Sequence, residues 1–207
     1  LRSQIEQQKT IIAYSIKNIN AQQEYIQGAI SQNETTIQKY RTNRAYYEKA
    51  ERDLARQSEA LSRMINRNTR GTTVKVVSGF MKPIAGPITS PFGYRTHPIF
   101  KRRIYHSGID IGGISGGKIR AANSGRVIYS GWYGGYGKVV IIDHGIINGR
   151  PTTTLYAHMS SYVVGAGQTI LKGQVVGYEG STGYSTGPHC HFEVRVNGNP
   201  QNPLNYI

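Results

Sequence analysis

The reactive side chains of this sequence gather in a few short stretches. Gly187-Pro188-His189-Cys190-His191-Phe192-Glu193-Val194 lies between the turn residues Thr186-Gly187-Pro188 and Asn197-Gly198. Its β-branched and aromatic content predicts a strand from His189 to Val196. Side chains two apart on a strand share a face, so His189 and His191 stand together while Cys190 points the other way, into a core. Glu193 falls on the histidine face, where a carboxylate can orient an imidazole. Upstream, His106 and Asp110 are separated by three residues in Tyr105-His106-Ser107-Gly108-Ile109-Asp110. Gly108 is expected to let the backbone turn and bring both side chains to one point. A histidine, a carboxylate and a second histidine, with a position left for water, make a catalytic zinc site; His191 is the natural third ligand. Zn²⁺ lowers the pKa of a bound water from 15.7 to about 7 and polarises a carbonyl, which is the chemistry of hydrolysis. Groups must also take the water's proton and hold the developing oxyanion. His189 is one candidate, and His158, ending Thr154-Leu155-Tyr156-Ala157-His158, is the other.

The remaining candidates read as structural. His97 (in Arg-Thr-His-Pro) and His144 (in Asp-His-Gly) are expected in loops or turns, and Asp143 is a second carboxylate that could orient a histidine. Cys190 is the single cysteine, so no intrachain disulfide forms.

Two kinds of element must position these groups. Ile5, Ile12, Ile19, Ile26, Tyr40, Tyr47, Leu54 and Leu61 occupy one seven-residue column, broken by Asn33. A second column holds Ile16, Ile30, Ile37 and Ile65, diluted by polar residues including Arg44 and Ser58. A heptad pattern sustained this long predicts one coiled-coil helix, stopping near Arg70-Gly71, a rod of roughly 100 Å at ~1.5 Å per residue that needs a partner helix. From Val74 the texture changes: only Gly28 of the 25 glycines precedes residue 71. Short apolar runs such as Lys138-Val139-Val140-Ile141-Ile142-Asp143 alternate with turn signals, as in packed antiparallel sheets. The expected fold is therefore α+β in two parts: a long N-terminal coiled-coil helix (1–70), a linker (71–82) and an all-β antiparallel two-sheet domain (83–207).

The net charge is +14. Residues 71–207 hold 13 basic against four acidic side chains, a balance that suits a polyanion, an anionic wall or a membrane surface. The sequence has no nucleic-acid motif, and nucleic acid is not expected as a partner. It begins at Leu1 without a signal-peptide pattern, and is expected to be part of a longer protein, in which any export signal or anchor would lie upstream.

His106-x-x-x-Asp110, Tyr156-Ala157-His158-Met159-Ser160 and His189-x-His191 resemble the three motifs of the lysostaphin-type (LytM-like) zinc metallopeptidases, in the family's order. Ser90-Pro91-Phe92-Gly93-Tyr94-Arg95 and Gly180 to Pro188 match too, so the resemblance covers about residues 80–207. It implies a two-sheet antiparallel peptidase domain with His106, Asp110 and His191 binding Zn²⁺, and with His158 and His189 flanking the catalytic water, the principal base being open between them. The implied activity is a zinc metalloendopeptidase hydrolysing peptide bonds in bacterial peptidoglycan, exported and acting at the cell surface, in the periplasm or outside the cytoplasmic membrane. With a helix ahead of it, the domain is most similar to the EnvC-like branch of cell-division wall-hydrolase factors, whose helical arm docks on a membrane protein. Several of those have lost metal ligands and activate a separate amidase, the alternative function; here all five positions are filled. A second copy of the chain is the other expected helix partner. The helix is expected to restrain the enzyme.

Overall fold

The computed structural model describes residues 2–69, 79–96, 103–113 and 115–207. Helix α1 runs Arg2–Asn68 without interruption. It closes with the Thr69 amide and hydroxyl both donating to the Ile65 carbonyl, at 2.9 and 3.0 Å, before the expected Arg70-Gly71 stop, which lies outside the described residues, as does His97. Two compact units form, Leu1–Glu48 and Lys49–Ile207. The last turns of the helix thus belong with the strands. In the first unit the described isoleucines are exposed, and the partner helix of a coiled coil is not among the described residues. Of the expected linker, Phe80 and Met81 are hydrogen-bonded into the second unit, to Tyr206 and Ala122; residues 71–78 lie outside the described ones.

The second unit contains β1 (Ile88–Ser90), β2 (Gly93–Thr96), β3 (Arg103–His106), β4 (Ile109–Gly112), β5 (Lys118–Arg120), β6 (Gly125–Trp132), β7 (Lys138–Ile147), β8 (Arg150–Met159), β9 (Ser161–Tyr162), β10 (Thr169–Ile170), β11 (Val175–Tyr178), β12 (His189–Val196) and β13 (Asn199–Gln201). All pairings are antiparallel. The main sheet has the order β1-β4-β12-β8-β7-β6-β10, with β13 also on β12; β5-β11-β9 form a smaller sheet. The two-sheet expectation needs one addition, a separate β2–β3 hairpin.

Both faces of the main sheet are covered. Ile109, Ile111, Val140, Ile142, Cys190, Phe192 and Val194 build one core with Ile119 and Val176 of the small sheet. On the opposite face Val139, Ile141, Leu155 and Ala157 pack with Leu61 and Ile65 of α1. This two-sided burial is why Val139–Ile142 reads as an unbroken apolar run, since neither face meets water. Each fully buried Leu or Ile contributes ~1.5–3 kcal/mol. Alternation on β12 then decides the chemistry: Cys190, Phe192 and Val194 go to the sheet-side core, and His191, Glu193 and Arg195 go to the face that α1 covers. Within unit two, the helix end is thus the roof over the site strand.

Candidate metal centre

Strand pairing brings the first two residues together. β12 pairs with β4 in a register that sets His191 opposite Asp110, and with β8 so that His191 lies opposite Ala157. His106 ends β3, whose hairpin pairs it with Gly93. The chain then passes Gly108, where an added Cβ would sit 2.3 Å from the Phe192 carbonyl oxygen. Gly108 is required for this close approach to β12, rather than for the turn expected from the sequence.

His158 reaches the same face by a different device. Tyr156 belongs to the sheet-side core and Ala157 to the helix side, so strict alternation would aim His158 away from His191. Instead its φ is +58°, and the β7–β8 register shifts between Lys138 and Val140. A bulge of this kind re-aims one side chain, and a non-glycine residue in the left-handed region costs about 1–3 kcal/mol. The His158 ring lies 4.7 Å from that of His189 and 5.9 Å from that of His191. All five predicted side chains are thereby brought together.

The inner atoms fit a cation. His106 Nε2 is 3.0 Å from His191 Nδ1 and 3.2 Å from Asp110 Oδ1, and His191 Nδ1 is 2.9 Å from that same oxygen. His106, Asp110 and His191 form a group able to hold a metal ion. Their outer atoms fix the tautomers: His106 Nδ1 donates to the Pro91 carbonyl at 2.8 Å, and His191 Nε2 donates to Glu193 Oε1 at 3.0 Å. Two lone pairs and a carboxylate oxygen then face one point, an arrangement of acceptors that requires positive charge. A proton shared at that point can supply the positive charge: burial alone would raise the Asp110 carboxyl, but hydrogen bonding with His106 and His191 outweighs it and holds it well below the usual range. Burial alone would lower His191, yet Asp110 and Glu193 on either side push it up to about 9.

The histidine pair is set up in the same way. His158 Nδ1 donates to the Thr182 carbonyl at 2.7 Å, and His189 Nδ1 to the Gly187 carbonyl at 2.8 Å. Each Nε2 is thus left as an acceptor, that of His189 3.7 Å from Asp110 Oδ1. Burial first, and then His191 and His189, bring His158 down to about 3, so it is neutral.

Residues 104–203 match the family model described as Peptidase family M23. The chain carries an M23 peptidase domain. Among curated proteins, the M23 domain is 47% identical over 117 residues to the DD-carboxypeptidase/endopeptidase Mpg of Neisseria meningitidis, covering 56% of this chain and 26% of that protein. It is 36% identical over 110 residues to the peptidoglycan DD-endopeptidase ShyA of Vibrio cholerae, covering 53% and 25%. A solved zinc-containing peptidase from Vibrio cholerae superposes with a TM-score of 0.56 at 31% identity, over 61% of this chain and 39% of that one. The chain spans about a quarter of the length of the curated relatives it matches.

Ser107, Tyr136 and Arg195, which lie behind the candidate centre, escaped the sequence reading. Glu193 Oε1 also accepts from Ser107 Oγ at 2.5 Å and from Tyr136 Oη at 3.1 Å. Burial, with Glu193 adding to it, pushes the Tyr136 phenol far up, so it stays a donor. Burial by itself would raise Glu193, but Arg195, with its Nε 2.5 Å from Oε2, holds it anionic. The available signal for Arg195 was its place two residues past Glu193 on the same strand face. Asp143 lies elsewhere, accepting from the Gly145 amide. His144 is not a turn residue: it is fully buried in β7, with Nδ1 donating to Ser124 and Nε2 bonded to Thr154 Oγ1. Cys190 is buried as expected, and burial pushes its thiol far up, leaving it inert.

Proposed function

We propose that the M23 domain is a zinc-dependent endopeptidase acting on stem or cross-bridge peptides of bacterial peptidoglycan. The observation that carries this reading is the convergence of three metal-type donors whose outer hydrogen bonds leave only acceptors facing inward. His106, Asp110 and His191 would hold Zn²⁺, which supplies a Lewis acid for the scissile carbonyl and acidifies water. His158 and His189 hold bare Nε2 atoms beside it, suited to take the proton of the attacking water and return it to the leaving amine. Glu193, fixed by Arg195, keeps the His191 tautomer that a metal needs.

The wider assignments belong to the same reading. The exposed isoleucine column of the first unit suits a coiled coil, with a second copy or a helix of a membrane protein as its partner, as in the EnvC-like branch. Relatives whose names specify peptidoglycan support a site of action outside the cytoplasmic membrane. No described helix is long and apolar enough to cross a membrane.

The test is hydrolysis of purified peptidoglycan by the full chain, with products identified by mass spectrometry. Chelation and Asp110→Ala should abolish cleavage together with zinc uptake, whereas His158→Ala and His189→Ala should abolish cleavage and keep the zinc. Undiminished hydrolysis by both histidine variants would refute the assignment. Stoichiometric zinc without cleavage, combined with stimulation of an added amidase, would favour the activator scaffold instead.

A further inference from the structure

Two oddities of the sequence explain each other. Ser58 is a polar break in an otherwise useful heptad column, and Arg195 is a cation at a strand position with no solvent exposure at all. In the second unit they meet. Arg195 Nη2 donates to Ser58 Oγ at 2.8 Å, and Nη1 donates to the Ser58 carbonyl and to Ser62 Oγ, both at 3.0 Å. The rest of the guanidinium holds Glu193, and Glu193 holds the outer nitrogen of His191. The fit leaves no slack: a Cβ on Gly198, where φ is +75°, would lie 2.7 Å from Asn66 Oδ1 and 2.8 Å from the Ser62 carbonyl oxygen.

The preceding turn of the helix reaches the other half of the site. Gln57 Oε1 accepts from the Gly135 amide at 2.8 Å, and the Gly135 carbonyl accepts from the Tyr184 amide at 2.7 Å. Tyr184 lies in the loop whose Thr182 and Gly187 carbonyls fix the His158 and His189 tautomers.

We propose that residues 57–62 of α1 belong to the catalytic apparatus. Ser58 and Ser62 are positioning residues for the metal ligand His191 through Arg195 and Glu193, and Gln57 is one for the histidine pair through the 181–187 loop. This rests on the metallopeptidase reading, and it gives the helix end the opposite sign from the restraint expected from sequence: loss of these contacts lowers activity. The physical reason is that a buried guanidinium with its serine acceptors removed must seek others, and the carboxylate it orients moves with it. Partners behind a ligating histidine typically change metal affinity 10–100-fold.

The experiment uses the full chain and reads zinc affinity by competition with a chromogenic chelator, alongside peptidoglycan hydrolysis and the melting curve. Ser58→Ala/Ser62→Ala should weaken zinc about tenfold or more, and Ser58→Thr/Ser62→Thr, which restores the hydroxyls, should recover most of it. Gln57→Ala should leave zinc affinity unchanged and lower kcat more than it changes KM. A folded double-alanine variant with zinc affinity within about twofold of the parent would overturn the inference. If the double variant fails to fold, Ser62→Ala alone is judged by the same criterion. Equal zinc binding by parent and variants sinks only the role of the helix. A parent chain that takes up no zinc removes the metallopeptidase reading and this inference with it.

Discussion

Residues 12–37 and 50–65 of α1 carry the same seven-residue repeat and meet different fates. Ile12, Ile19 and Ile26 are 57%, 53% and 55% exposed, whereas Leu61 and Ile65 are sealed at 0% and 1%. A repeat says that one side of a helix needs an apolar partner; it does not say what the partner is. For the last turns the partner is the second face of a β-sheet, and the polar break at Ser58 is the point where Arg195 docks. Arg44 dilutes the same column in the first unit, where it pairs with Glu48 on the helix surface.

That contrast is open to measurement. The largest effect is expected at the packed end: Leu61→Ala should cost ~2–5 kcal/mol in urea unfolding of the second unit, through lost burial and a cavity. A cost below 1 kcal/mol would mean that the helix end is not part of that fold.

Acid should separate the units as well, because all six histidines lie beyond residue 96. Burial brings His144 down to about 4, with the Ser124 carbonyl and Asp143 pulling the other way. The folded protein keeps it neutral while the unfolded chain takes up a proton below ~6.5. Its contribution is therefore complete above pH ~6.5 and declines as pH falls toward 4, by ~3 kcal/mol in all. The stability difference between the parent and His144→Gln should shrink over that window, and a pH-independent difference would contradict it.

Two glycines sharpen the comparison at smaller scale. Gly198→Ala should destabilise by ~1–2 kcal/mol, since it forces a left-handed backbone at a close contact. Gly28→Ala meets nothing within 4 Å and should add ~1 kcal/mol of helix stability. Smallest of all, Ile19→Ala/Ile26→Ala should change dilute-protein stability by no more than ~0.5 kcal/mol. If the first unit pairs with a second copy, the same change should abolish a concentration-dependent mass in sedimentation.

The histidine spacing was legible because a strand has period two. His189 and His191 had to share a face, and Cys190 had to leave it, in any sheet that buries Phe192 and Val194. His144 was misread for a related reason. Its Asp-His-Gly setting looks like a turn, while the strand that carries it continues to Ile147 and buries both ring nitrogens against partners distant in sequence. His158 was singled out for its chemistry, yet its direction depends on a register shift that no local pattern announces.

By itself the sequence determined the residue types able to hold a metal, the face on which the last two histidines stand, the change from helical to β texture and the need of the heptad stripe for a partner. These follow from periodicity and side-chain chemistry, which are local. Tertiary structure alone decided that Asp110 lies opposite His191, that His158 turns inward, and that Ser58 and Ser62 close over Arg195. Those depend on strand register and on one element sealing another, where the burial of a charge selects partners more than a hundred residues away.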